Sequence, residues 1–464
     1  MEGDNPQDWS QARKWAITLT SSYMSSLSSV AVAAYSLGID AMVIDLHTSR
    51  LLVVSGLSFY TLAVAIFPLF LAPLAESVGR RPVYIIAYGF FFLFFLPVAL
   101  ARNIETVLVA RFLCGAAGSV GATMVGGTLS DIWTRGQREV PMAFFSLSAL
   151  FGTPIGPIFF SWIGGGVSWR WIHWTLLISS VPSAALVFLT FNRETLLSAR
   201  QRKGQPSERS TLAGMARKVK ASLSTSLVRP LLLLATEPIV FCLSLWISFA
   251  WGTLYLFLES VPLVFAQYGI AQGPSFVGLA IGALIGFAIH LVYVHRSKRL
   301  AGSTPETRLG EACVGAVAFA ASLFFYAWTG LPHVPWIVPQ IATACIMAGL
   351  FLVYACIFMY LSECYGLYTS SALAAQSFLR NIFATAFPLF ATDMYQKLTY
   401  RWASTLLGFL AAALALFPFL LVRYGAALRD RSPFATKQIL AQDRQEARCP
   451  SQTPAGSPMT MVDA

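Results

Sequence analysis

Residues 193–229 read RETLLSARQRKGQPSERSTLAGMARKVKASLSTSLVR. This is the longest polar interruption in an otherwise apolar chain, rich in Arg, Lys, Ser and Gln with little to bury. On either side lie apolar runs of the length a helix needs to cross a bilayer, roughly 20 residues for about 30 Å of hydrocarbon. Before the interruption they fall near 15–36, 52–75, 82–101, 104–128, 140–164 and 169–191; after it, near 231–258, 274–295, 311–330, 336–361, 369–395 and 402–424. Such long, uniformly apolar runs are not barrel strands. Six spans, a basic linker and six more spans is the plan of a transporter built from two related halves. The expected fold is an all-α membrane protein of twelve transmembrane helices in two six-helix halves, 15–192 and 230–424. A polar N-terminus (1–14), the linker (193–229), with a surface helix around Leu212–Leu223, and a disordered polar tail (425–464) complete the plan.

Composition agrees. Of 464 residues, 56% are hydrophobic and 11% charged, with mean hydropathy +0.65. A soluble protein carries about 25% charged residues, so much of this surface faces lipid. That excludes an ordinary cytosolic enzyme, a secreted disulfide scaffold and a disordered tail protein. The net charge of +11 does not indicate nucleic acid, because the cations cluster between apolar spans. Six of the seven cysteines (Cys114, Cys242, Cys313, Cys345, Cys356 and Cys364) lie in or beside apolar runs, and Cys449 is in the tail. No zinc-ligand spacing occurs, and no GxxxxGK[ST] motif provides a built-in ATPase. The five histidines form no HExxH or comparable pair. No metal or cofactor is expected, and any driving force comes from a gradient. A membrane-embedded enzyme would need a clustered His/Asp constellation, which the sequence lacks.

Orientation follows from the basic residues. With the N-terminus placed in the cytoplasm, twenty-five cationic side chains fall inside and five outside, a decisive positive-inside asymmetry. Both termini are then cytoplasmic. The first ten residues carry no basic region leading to a cleavable run, so the first span is expected to be retained. It is also the most polar, with Ser21, Ser22, Ser25, Ser26, Ser28 and Ser29, so it should face protein or a wet cavity.

Three motifs sharpen the reading. After the second span, Ala72-Pro73-Leu74-Ala75-Glu76-Ser77-Val78-Gly79-Arg80-Arg81 places a carboxylate, a turn-permitting glycine and two arginines in a cytoplasmic gating loop. In the fourth span, Arg111 sits in Arg111-Phe112-Leu113-Cys114-Gly115, where a buried cation needs a partner or a wet cavity. In the fifth, Gly152-Thr153-Pro154-Ile155-Gly156-Pro157 combines close-approach glycines with kinking prolines.

Together these resemble the signature loop, the proton-linked arginine and the antiporter motif of the major facilitator superfamily. Ala72 and Glu76 replace the usual glycine and aspartate, and Phe160 and Ser161 stand where two glycines are usual. Glu194-Thr195, Thr236-Glu237-Pro238, Pro305-Glu306-Thr307-Arg308-Leu309 and Arg429–Ala435 resemble its fungal twelve-span drug:proton antiporter group. That resemblance implies a proton-coupled exporter working by alternating access, at the plasma membrane. Small-molecule cargo, the proton and the bilayer are the expected partners, with no nucleic acid, and a monomer is expected.

The resemblance and the polar groups lying within the spans together give the candidate site residues. Proton-coupling candidates are Arg111, Glu237, Asp131 and His290; for Arg111 a structural clamp is the competing role, and for His290 a structural histidine. Asp131 resembles a partner of the loop arginines. The first, fourth, seventh and tenth helices should line the cavity, giving Ser22, Tyr23, Ser26, Arg111, Trp246, Trp251, Tyr255, Tyr354 and Tyr360, with Arg380 and Asn381 from the eleventh. The stripe Trp246, Ala250, Thr253 and Phe257 fits helix packing better than a binding wall, and Gly278, Gly282 and Gly286 fit packing alone. No carboxylate lies in the first span between Lys14 and Asp40, while two arginines lie deep. An electropositive cavity favours neutral or anionic cargo, leaning to an organic acid or acidic secondary metabolite. A broad multidrug or polyamine exporter is the alternative; a transporter-like receptor is the rival from another class.

Overall fold

The computed structural model describes residues 6–134, 136–164, 168–191, 227–297, 305–365 and 368–435. Most of the linker, its expected surface helix, the distal tail and the Glu76 side chain therefore lie outside the described residues. What is described is helical, with no strand.

The helices follow the apolar runs because a chain in lipid must satisfy its backbone internally. The first span is Gln11–Ala33, followed by a short helix Ile39–Asp45. The second runs Arg50–Ile66 and, after a break at Phe67, Pro68–Val78; proline opens the new turn, where it forfeits no hydrogen bond. Gly79 has φ 113°, a conformation costly for other residues, and turns the chain directly into the third span, Arg80–Ala99. The Asn103 side chain caps the fourth span by accepting from the Thr106 amide at 3.2 Å. That span runs Ile104–Ser119, widens into a π-helical turn at Val120–Met124 and ends at Ile132. The fifth and sixth are Glu139–Gly164 and Arg170–Thr190.

After a short helix, Leu227–Thr236, the second half holds Pro238–Ala266, Val277–Ser297, Pro305–Thr329 and Ile337–Cys364 as spans seven to ten. The last apolar stretch, Thr369–Arg431, is 63 residues long. At about 1.5 Å per residue that is far longer than a bilayer is thick. Thr399, at φ 68° and ψ 157°, breaks it, and the expected eleventh and twelfth spans lie on either side. The described residues thus contain eleven apolar helical stretches long enough to cross a membrane, the last of them broken in this way.

Several boundaries differ from expectation: the first span begins at Gln11, the fourth runs on to Ile132 and the ninth begins at Pro305. The final helix continues to Arg431 instead of ending near 424, because Arg429 pairs at 3.0 Å with Glu306 of the ninth span and gives the polar turn a partner. The seventh span begins at Pro238, behind its own short helix.

Packing sorts the helices into central and peripheral. In the most apolar window, 83% of the seventh span and 78% of the tenth are buried, against 33% of the sixth. The sixth turns Phe188 and Leu189 outward, as lipid-facing helices do. The serine-rich first span is central: Ser21, Ser22, Ser25 and Ser28 are all buried. Small residues set the closest approaches. A Cβ at Gly152 would lie 2.9 Å from the Ser26 carbonyl, and one at Gly156 would lie 3.2 Å from that of Val30, so the fifth span is pressed against the first. Gly278, Gly282 and Gly286 press the eighth against Gln340, Ala344 and Ala348 of the tenth.

Candidate functional site

Between the halves lies a narrow cavity with room for little more than a water molecule. Ser25, Ser28, Ser29 and Val32 line it from the first span, with i, i+3, i+4 and i+7 spacing that places them on one face. Tyr60, Thr61 and Val64 come from the second span, Ala122 from the π-helical turn of the fourth and Ala149 from the fifth. The second half supplies Trp251 and Tyr255 from the seventh span and Arg380 and Asn381 from the eleventh.

Arg380 is buried, with its guanidinium 4.3 Å from the Trp251 ring centroid and 5.3 Å from that of Tyr354. The two rings are 5.2 Å apart, so Tyr354 supports the wall from behind. Arg380 Nη2 reaches the Ser377 hydroxyl at 3.5 Å, while its Nε is buried without a partner. Aromatic faces tolerate a cation without neutralising it, so this guanidinium keeps a strong field in a dry place.

Arg111 lies behind Tyr60, wholly buried. Its Nη1 donates to the Ala31 carbonyl at 2.7 Å and its Nε to that of Gly56 at 3.3 Å; the Tyr35 and Tyr60 rings flank it at 4.4 and 4.7 Å. It clamps the first, second and fourth spans. Among the described residues neither Arg111 nor Arg380 has a carboxylate partner.

The other expected cavity residues are placed elsewhere. Tyr23 is 37% exposed and donates to the Ser179 carbonyl of the sixth span; Ser26 donates to the Ser148 carbonyl of the fifth. Ser22 is buried off the cavity wall. Tyr23 and Ser26 lie on other faces of the helix than the Ser25 stripe, which sequence alone could not orient, and Ser22 lies on that face one turn beyond the cavity toward the linker end. Trp246 packs 5.7 Å from Phe319, and Phe257 lies 5.5 Å from Tyr326, so that stripe does pack against the ninth span. Tyr360 sits against the twelfth span near Gly425.

Both ends of the cavity are closed. At the linker end, Arg308 of the ninth span pairs with Glu139 of the fifth at 2.7 Å, joining the halves, and with Glu363 at 3.2 Å. Phe144 and Phe287, 5.2 Å apart, and Phe145 and Phe358, 6.3 Å apart, fill the gap beneath. Within the first half, Arg80 Nε donates to Asp131 at 2.7 Å, so the loop arginine and the expected acid do meet. Arg80–Asp131 and Arg308–Glu363 occupy corresponding places, each joining the start of one span to the end of the next. At the far end, Arg50 of the second span meets Glu259 of the seventh at 3.1 Å, and Ser58 donates to the Thr385 carbonyl at 2.7 Å.

Glu237 is buried at the linker end of the seventh span and accepts from Tyr365 at 3.0 Å, away from the cavity. His290 pairs at 2.6 Å with Glu311 of the ninth span, both buried. Sequence reading missed Glu259 and Glu311. For Glu259 the available signal was a lone carboxylate inside an otherwise apolar span; Glu311 follows Glu306 and Arg308 at the polar start of its span and carried no such mark.

A closed polar cavity between two helical halves, sealed at each end by contacts that cross between them, defines a membrane solute transporter. The Major Facilitator Superfamily family model matches residues 16–388, and the chain belongs to that superfamily. It is a family of transporters and not of enzymes. The chain is 36% identical to the efflux pump atB of Aspergillus terreus over 79% of this chain and 82% of that one. It is 33% identical to the multidrug transporter mdrA of Aspergillus fumigatus, covering 94% and 75% of the two. With the efflux pump FUB11 of Gibberella moniliformis it shares 34% identity, over 94% and 77%. Among solved structures, the proton:xylose symporter XylE superposes with TM-score 0.68 at 15% identity, covering 89% of this chain and 97% of that one. At that identity the likeness concerns the fold alone.

Proposed function

We propose that the protein is a proton-coupled antiporter that exports a small organic acid or acidic secondary metabolite by alternating access. The carrying observation is the buried guanidinium of Arg380 on the cavity wall, which has no carboxylate partner among the described residues and an unsatisfied Nε; Arg111, behind Tyr60, adds to the positive field. An acidic cargo would supply the missing counter-charge, and Trp251 and Tyr255 would hold its apolar body. The names of the curated relatives support export, and the positive-inside bias supports a cytoplasmic linker end. Two closed ends, each sealed by contacts that must break when that end opens, support alternating access.

The test is efflux of [14C]benzoate and of [3H]tetraphenylphosphonium from cells with and without the protein. Faster benzoate efflux that a protonophore abolishes is expected; efflux of the cation alone refutes the acidic lean. A broad multidrug exporter is the second reading, favoured by the similarity to mdrA and by the aromatic wall. A drug-sensitivity panel on a deletion strain distinguishes it. A non-transporting receptor would show no flux of any probe in proteoliposomes. Glycosylation tags near Arg209 should stay unmodified, and modification there would invert the topology.

A further inference from the structure

Glu259 lies on the stripe Trp251, Tyr255, Glu259, one helical turn beyond the cavity wall toward the far end. Its side chain is 1% exposed. Oε2 accepts from Arg50 Nη2 at 3.1 Å, while Oε1 is buried without a partner. The same guanidinium also pairs with Asp40, which is 80% exposed. Arg50 belongs to one half and Glu259 to the other, so this ion pair crosses the interface that must part when the far end opens.

The pair is asymmetric. A buried carboxylate with one partner and one bare oxygen is a costly place for a charge, whereas the same group as a neutral acid costs far less. Removing the charge from Glu259 does not strand Arg50, because Asp40 still holds it in water. Tyr35, at the end of the first span, lies within electrostatic reach of both Glu259 and Arg111. The eleventh span carries Arg380 beside Trp251 and the phenol of Tyr395, which bonds to Ser404; Asp393 and Lys397 on that span are exposed.

We infer that Glu259 is the proton-binding residue of the transport cycle and that Arg50 is its latch. The inference rests on the proton-coupled reading above and names the site. With the linker end open, the cavity leads to Glu259; its proton leaves inward, and the carboxylate pairs with Arg50 and holds the far end shut. With the far end open, Glu259 faces the outer medium, takes a proton there and stays unlatched while Arg50 remains with Asp40. The empty, deprotonated carrier is therefore locked shut at the far end, and a proton taken up by Glu259 lifts that lock. Glu237 and Asp131 are engaged at the linker end, off this path.

The experiment measures far-end opening by spin-label distances between Ile44→Cys and Gln267→Cys in the otherwise cysteine-free full chain in lipid vesicles. Both positions are exposed at the far end. The parent should shift to longer distances between pH 8 and pH 5. Glu259→Gln should be open at both pH values, at least tenfold more populated than the parent at pH 8. Glu259→Asp should restore the pH response, which separates the proton site from a folding defect. A Glu259→Gln chain that still titrates like the parent, or stays closed, overturns the assignment. Protonophore treatment during [14C]benzoate efflux separates the two claims. Protonophore-sensitive efflux unaffected by Glu259→Gln refutes the site alone; insensitive efflux with a Glu259-dependent distance change refutes coupled export and leaves the latch standing.

Discussion

Replacing Arg308 by Gln should loosen the linker end of the transporter. Arg308 bonds Glu139 across the halves at 2.7 Å and Glu363 at 3.2 Å, with its own side chain 24% exposed and that of Glu139 8%. A wholly buried pair broken on one side costs about 3–5 kcal/mol, and an exposed one about 0–1. The partial exposure places this pair between them, at about 1–2 kcal/mol of interaction across the interface. Since about 1.4 kcal/mol is tenfold, opening at this end should become about 5- to 30-fold more populated. Cys356 is a native reporter: it is buried beneath the latch, its thiol donating to the Arg308 carbonyl at 3.1 Å, and it lines the same small cleft as Glu139, Arg308, His290 and Glu311. In a chain whose other cysteines are replaced by serine, its N-ethylmaleimide labelling rate tracks the open population. Arg308→Gln and Glu139→Gln should each raise that rate, and the double variant should raise it by less than the product of the two, because they remove one shared interaction. A rate within twofold of the parent, or fully multiplicative effects, would refute the latch.

Two further outcomes follow from packing and charge. Gly152→Leu should cost about 1–3 kcal/mol through overpacking against the Ser26 carbonyl and lower the thermal midpoint in detergent, whereas Gly89→Ala, with nothing within 4 Å, should leave it unchanged. Arg380→Gln should raise the KM for [14C]benzoate about tenfold or more, the loss of one charge-assisted hydrogen bond, and Trp251→Ala should do the same in part; unchanged KM in both would remove the acid-binding role.

The spans themselves were legible because a bilayer imposes a length and an apolar composition that no packing detail can disguise. The serine-rich first helix turned inward and the glycine contacts of the fifth and eighth spans followed from local residue chemistry. Arg80 and Asp131 were also legible as a pair, since loop charges near helix ends have few partners within reach. What sequence could not provide was rotation. In an amphipathic helix water marks one face, but here lipid and protein are both apolar, so nothing in the residues told the Ser25–Ser28–Ser29–Val32 face from the one carrying Tyr23 and Ser26. Nor could it pair Arg50 with Glu259, or His290 with Glu311, because 209 residues separate the first two and 21 the second, and only the docking of helices brings them together. Composition and hydropathy determined that this chain crosses the membrane many times; the rotation and register of each helix, set by close packing, decided which polar groups face the cavity and which close its ends.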